Sequence, residues 1–273
     1  MKKYGWPALI FALFAAIGVV LWQTQDNLFY LFNFGYIGSA IALGLFLFAR
    51  RYRHARRVVQ LLVGLYMLVF LGLIGRENMQ IEGFWYYLFG GMVAGATIHY
   101  AVAKIFGPLL FGRGWCGYAC WTAMVLDFLP YKTPQRPRGK IGWLRYLTFA
   151  ASLIFVLLVF FLPGVDRERL MFAAFLIGNA LYYGVGVALA LFYRDNRAFC
   201  KYLCPVTVFL KPMSYFSLLR IRCDHSKCIS CGRCRKVCPM DVDMTDDSRK
   251  RANGTECILC MECVKSCPRA ALH

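Results

Sequence analysis

Charged residues are scarce in this 273-residue sequence, at 17%, where a soluble domain carries about 25%. Acidic ones are scarcest, with 14 Asp and Glu against 32 Lys and Arg, while 59% of the chain is apolar. That balance excludes an ordinary soluble globular domain and points to a membrane protein. Histidine is also sparse: of the four, His54, His225 and His273 fall in polar stretches. His99 is left without a partner, which disfavours a haem held by two histidines. Cysteine is missing altogether ahead of Cys116, and all 13 cysteines follow from there. No coiled-coil heptads, repeat array or low-complexity tract is present.

Six apolar segments are long enough to cross a bilayer core: 6–22, 29–49, 58–74, 84–110, 141–163 and 171–193. The third is short, and the fourth holds enough glycine to tilt or bend. The +18 formal charge is not spread as a nucleic-acid surface would be, so nucleic acid is excluded as a partner. It concentrates beside the apolar runs, in Arg50, Arg51, Arg53, Arg56 and Arg57, and again in Arg113, Lys132, Arg136, Arg138 and Lys140. The opposite loops carry only Arg76, Arg167 and Arg169, beside Asp26, Glu77, Glu82, Asp166 and Glu168. The positive-inside rule then places both termini in the cytoplasm of a prokaryote, in a multi-pass inner-membrane protein contacting lipid. Met1, Lys2 and Lys3 could open a signal peptide, but no small-residue cleavage site follows, so the first span is expected to be retained. The expected fold is mainly α. A six-helix transmembrane bundle over 1–216 precedes a small α+β double-cluster module over 217–273, where the composition turns polar.

Within that module Cys228, Cys231 and Cys234 stand at two-residue intervals, and Cys238 follows after three, with Pro239 next. Cys257, Cys260, Cys263, Cys267 and Pro268 repeat the pattern. Three thiolates at this spacing wrap one face of a cubane, and the fourth turns away to the other cluster. One [4Fe–4S] cluster is therefore expected on Cys228, Cys231, Cys234 and Cys267, and a second on Cys257, Cys260, Cys263 and Cys238. Zinc fits poorly, because structural zinc uses pairs of cysteines and not triplets. Cys223 lies outside both motifs and reads as a bystander. With every cysteine on the reducing side of the membrane, a disulfide framework is disfavoured.

A second pattern sits at the membrane face. Cys116 and Cys120 follow one apolar segment, and Cys200 and Cys204 follow another, both in a Cys-x3-Cys spacing. On a helical turn each pair would share a face, and the two pairs together would present four thiolates. They could hold a metal or a third iron–sulfur centre, act as a redox dithiol, or simply pack. A radical S-adenosylmethionine site would need a further cysteine where Thr122 or Val206 stands, so it is excluded.

The run from Gly112 through Arg113, Gly114, Trp115 and Cys116 to Cys120, then Cys200, Lys201, Tyr202, Leu203, Cys204 and Pro205, then the double cysteine motif, resembles the membrane-bound polyferredoxin family. This family includes quinol dehydrogenase membrane components associated with periplasmic nitrate reductase. The resemblance covers residues from about Phe111 onward. It implies electron transfer between the quinone pool, or a cytoplasmic donor, and a partner reductase. The first motif departs from the family in carrying Trp121 where proline is usual. The short loops leave no room for the flavin domain of regulatory relatives.

Polar groups inside the predicted spans are functional candidates by default. His99 and Asn179 could form an interhelical hydrogen bond, or line a quinone pocket with Tyr100, Tyr182 or Tyr183. Lys104 is expected to snorkel to the cytoplasmic face. A basic tail surface of Lys227, Arg233, Arg235, Lys236, Arg249, Lys250 and Arg251 would attract an acidic ferredoxin or flavodoxin, or anionic lipid. The leading expectation is an electron-transfer subunit of quinol dehydrogenase type. Its rivals are a maturation or metal-reducing factor and a redox sensor.

Overall fold

The computed structural model describes residues 2–92 and 95–273. Met1 and positions 93 and 94, the latter two inside the fourth predicted span, lie outside the described residues. Helices α1 (Lys2–Gln25) and α2 (Leu28–Ala49) form an antiparallel pair. The turn between them is fixed by Asn27, whose side-chain oxygen accepts the Phe29 N–H at 2.9 Å, so a free donor at the start of α2 is capped. Helix α3 (Ala55–Leu65) runs on as π-helix through Tyr66–Ile74. Two later long helices follow, α9 (Leu144–Phe161) and α10 (Arg167–Tyr193), with Asp166 capping α10 through the Arg169 N–H at 3.1 Å.

Five helical stretches are long and apolar enough to cross a membrane: Pro7–Gln25, Leu28–Ala49, Ala55–Ile74, Ile141–Phe161 and Arg167–Tyr193. The fourth predicted segment, 84–110, is not one of them. It is split into α4 (Ile81–Phe89) and a helix that starts as α5 (Gly95–Tyr100), passes through a π segment at Ala101–Phe106 and ends as α6 (Gly107–Phe111). The break falls after Gly90, at Gly91, whose φ of +67° is a left-handed conformation that glycine takes without strain. Ahead of α4 the chain turns inward. Asn78 donates through Nδ2 to the Met171 carbonyl at 3.0 Å, and Glu77 accepts the Ala96 N–H at 2.6 Å.

The broken segment still returns the chain to the face it left. Arg56, at the start of α3, donates to the Gly117 carbonyl at 3.0 Å, so residues on either side of the excursion meet again. Two long helices, α9 and α10, then lie between Cys116 and Cys200, and these cysteines also come together. Six spanning segments were expected; five uninterrupted helices of spanning length are found among the described residues.

Short helices crowd this face: α7 (Gly114–Tyr118), α8 (Trp121–Leu126), α11 (Ala198–Tyr202) and α12 (Thr207–Tyr215). The cysteine-rich module sits on them, with α13 (Arg233–Lys236) and α14 (Glu262–Ser266). An α+β module was expected, but no strand is found among the described residues. There is only an isolated antiparallel bridge between Cys223 and Leu272. The stretches between cysteines are too short for a sheet, and turns hold the chain instead. The module's apolar core continues into the helical domain through Leu210 and Cys116.

Candidate metal centres

The two halves of the module repeat at the level of the backbone. Ser230 and Leu259 both have positive φ, 52° and 51°, as do Gly232 and Met261, and Asp241 and Ala270. Each pair occupies the same position relative to its cysteines. After each Cys-Pro a backbone N–H turns back to sulfur: Val242 donates to Cys238 Sγ at 3.4 Å, and Ala271 to Cys267 Sγ at 3.3 Å.

This local geometry makes two cavities. Cys228, Cys231, Cys234 and Cys267 line the first, and Cys238, Cys257, Cys260 and Cys263 line the second. The grouping is the crossed one expected from the spacing, with the fourth cysteine of each motif in the other motif's cavity. Cys223 is not remote from this arrangement: it is buried and also lines the first cavity. Among the described residues, no three His, Cys, Asp or Glu side chains converge closely enough to hold a single metal ion. The cysteines ring a space and do not meet at a point. With sulfur-only donors and N–H groups directed at them, both cavities fit a cubane better than zinc.

The four remaining motif cysteines come together in a third cavity. Cys116, Cys120, Cys200 and Cys204 line it with Gln80, Ile81, Lys104 and Arg113. The inward turn ahead of α4 therefore ends at this cavity, which the sequence did not indicate. Lys104 does not snorkel. It is buried at 5% exposure, with Nζ 5.3 Å from the centre of the Trp115 ring. Arg113 and Arg197 are buried as well, donating to the carbonyls of Cys200 at 3.3 Å and Cys116 at 3.1 Å. Burial pushes Cys200 up to about 11 and raises Cys120 and Cys204 too. As free thiols these groups would stay protonated and be poor nucleophiles. The buried cations around them suit thiolates bound to a metal centre.

The polar pair expected within the spans is not formed. Asn179 accepts from Trp121 Nε1 at 2.8 Å and donates to the Phe175 carbonyl at 2.8 Å. His99 packs against Trp115 instead, with ring centres 5.0 Å apart. Trp121 thus supplies a donor, a role proline could not take.

Module and membrane face are locked together. Gly117, between Cys116 and Cys120, lies so close to the Ile258 carbonyl that a Cβ there would sit 2.4 Å from the oxygen. Tyr118 donates to the neighbouring Leu259 carbonyl at 2.8 Å. Beside this contact Glu256, 1% exposed, meets Arg113 at 2.9 Å, Arg138 at 2.9 Å, Arg145 at 3.1 Å and Lys211 at 3.4 Å. Lys201, fully buried, bridges Asp195 at 2.7 Å to Asp241 of the module at 2.6 Å. Arg145 also donates to the Lys201 carbonyl. Of the predicted basic tail surface, Arg251 is instead buried and donates to the Ile221 carbonyl at 2.7 Å.

Comparison with known proteins follows the same division. A 4Fe–4S dicluster domain matches residues 227–272. A separate 4Fe–4S binding domain matches twice, at 93–143 and 177–222, once around each Cys-x3-Cys pair. These domains and the ferredoxin-type relatives make the chain similar to the membrane polyferredoxins. It is 29% identical over 222 residues to the methylamine utilization ferredoxin-type protein MauN of Methylobacillus flagellatus, covering 71% of this chain and 77% of that protein. The ferredoxin-type protein NapH of Haemophilus influenzae is 26% identical over 153 residues, 51% of this chain and 52% of NapH. The protein MJ0749 of Methanocaldococcus jannaschii is 28% identical over 163 residues, 55% of this chain. The chain spans 61% of the length of MJ0749. No solved structure matches. An iron–sulfur electron-transport protein is thus what the polyferredoxin relatives and the cysteine geometry have in common.

Proposed function

We propose that this chain carries electrons between a soluble or membrane redox partner and a centre at the membrane face. The cysteines of each module cavity would hold a [4Fe–4S] cluster in the crossed sets given above, and Cys116, Cys120, Cys200 and Cys204 would hold a third iron–sulfur or metal centre. When bound, such groups supply reversible one-electron chemistry. The observation that carries the reading is the seating of the Ile258 carbonyl on Gly117. It sets the loop of the second module cavity against the helix that carries Cys116.

The exposure of the cysteines orders the route. Cys231 is exposed in the first cavity, whereas Cys238, Cys260 and Cys263 are buried in the second. A partner would exchange electrons at the first cavity, next to exposed Arg233, Arg235 and Lys236, which suit an acidic ferredoxin or flavodoxin. The second cavity relays to the membrane-face cysteines, where the quinone pool and a partner reductase would be served. The basic loops support a reading in which this face and both termini lie in the cytoplasm at an inner membrane. Cys116 and Cys200 are buried and Cys120 and Cys204 half-buried, which weighs against a thiol-exchange factor, since exchange needs an accessible thiolate.

Iron and acid-labile sulfide, measured with EPR on anaerobically purified protein, test the reading. The wild type should hold more than the roughly eight iron atoms of two cubanes. A Cys116→Ser/Cys200→Ser variant should lose only the excess. Equal iron in both, near eight, would remove the third centre.

A further inference from the structure

A cleft of about 950 Å³ opens between the α2–α3 loop and the second half of the module. Its size is that of a site for a cofactor-sized molecule. Arg51, Arg53, Arg57 and Lys132 line it, and no ion pair engages any of them among the described residues. Its two acidic residues are already taken, Asp127 by Arg56 at 2.9 Å and Arg197 at 2.6 Å, and Glu262 by Lys265 at 3.4 Å. Four positive charges are left with no carboxylate to answer them.

The walls have two further properties. Aromatic groups are among the lining residues: Tyr52 meets His54 edge-on at 5.8 Å, and Phe48 lies under Lys265 Nζ at 5.8 Å. Cys260 opens on the same cleft. A loop that only marks membrane orientation needs charge alone. This one adds an aromatic wall and a roof formed by the module. Guanidinium groups match phosphate oxygens in a fixed planar fork, and the aromatic wall suits an apolar or planar body attached to the phosphate.

We propose that this cleft binds a phosphate-bearing ligand, held through Arg51, Arg53, Arg57 and Lys132, with its apolar or planar part against Tyr52 and Phe48. A soluble nucleotide cofactor and an anionic phospholipid headgroup both offer that chemistry. Binding stands apart from the electron-transfer reading, because it can be measured whatever iron the protein holds. If the second cavity holds its cluster, an anion beside Cys260 lowers that cluster's potential.

The full chain in phosphatidylcholine nanodiscs is titrated with flavin mononucleotide, followed by fluorescence quenching. In parallel, protein extracted from mixed membranes is assayed for retained phosphatidylglycerol by native mass spectrometry. One probe should bind, and an Arg51→Gln/Arg53→Gln/Arg57→Gln variant should weaken it by about tenfold or more, since each charge-assisted bond is worth about 1.5–3 kcal/mol. Flavin binding alone assigns a nucleotide, and retained phosphatidylglycerol alone assigns a lipid. Failure to bind either probe, or equal binding by the variant, overturns the proposal. Unchanged iron content certifies that the variant is folded. Should it not be, Lys132→Gln alone must still weaken binding, and unaltered affinity there is equally fatal.

Discussion

Replacing Glu256 by glutamine would remove one negative charge from among four cations while keeping the side chain's shape. Burial by itself would raise this carboxyl, but Arg113, Arg138, Arg145 and Lys211 overcome that and hold it at about 2, against an ordinary 4.5. A difference of that size corresponds to about 3 kcal/mol at neutral pH. Removing one partner of a buried ion pair costs a similar amount, about 3–5 kcal/mol. Here it leaves Arg113 and Arg145 buried without a counter-charge. Because Glu256 precedes Cys257, the loss falls on the contact between module and membrane face. Hydrogen exchange of the amides in 257–261 reads that contact directly. Opening should become about a hundredfold easier in Glu256→Gln, at about 1.4 kcal/mol per tenfold. The carboxyl's depressed value sets the pH behaviour. Its contribution is complete above 4.5 and is lost only as pH falls toward about 2, so variant and wild type should differ by a constant factor from pH 6 to 8. Exchange within threefold of wild type would refute the anchoring role, and a difference that grows across that pH range would refute its electrostatic origin.

A methyl group at Gly117 would fall 2.4 Å from the Ile258 carbonyl. Gly117→Ala should therefore displace the 257–261 loop at a cost of about 1–3 kcal/mol and slow electron transfer between module and membrane face, followed by stopped-flow reduction. An unchanged rate would remove the contact from the route. Trp121→Phe strips the donor from buried Asn179 Oδ1. It should lower thermal stability by about 1–3 kcal/mol without altering iron content; a loss of iron would instead make Trp121 part of the cavity's support.

The cysteine chemistry was readable from spacing because the motifs are local. A triplet followed by Cys-Pro dictates its own loop, and Gly232 marks one of the left-handed positions it requires. Span parity put Cys116 and Cys120 on the same face as Cys200 and Cys204, but left open whether the two pairs meet. What escaped notice depends on distance along the chain. Glu256 looks like any loop acid until Arg113, 143 residues away, is folded against it. Lys104 looks like an interfacial lysine until Trp115 and the thiol cavity close over it. The division of 84–110 was half-announced by Gly90 and Gly91, but hydropathy does not register a turn whose flanks are equally apolar. Asn179 found Trp121, not His99, because side-chain direction decides such pairs and sequence gives only depth.

The matching backbones of the module's halves have a consequence for wear. Two nearly equivalent cages meet different surroundings: one has Cys231 at the surface, and the other is pressed against α7 with Cys238, Cys260 and Cys263 buried. Oxidants arriving from solvent would reach the outer cage first. Damage would then fall first on that half, while the inner cage stays seated against α7.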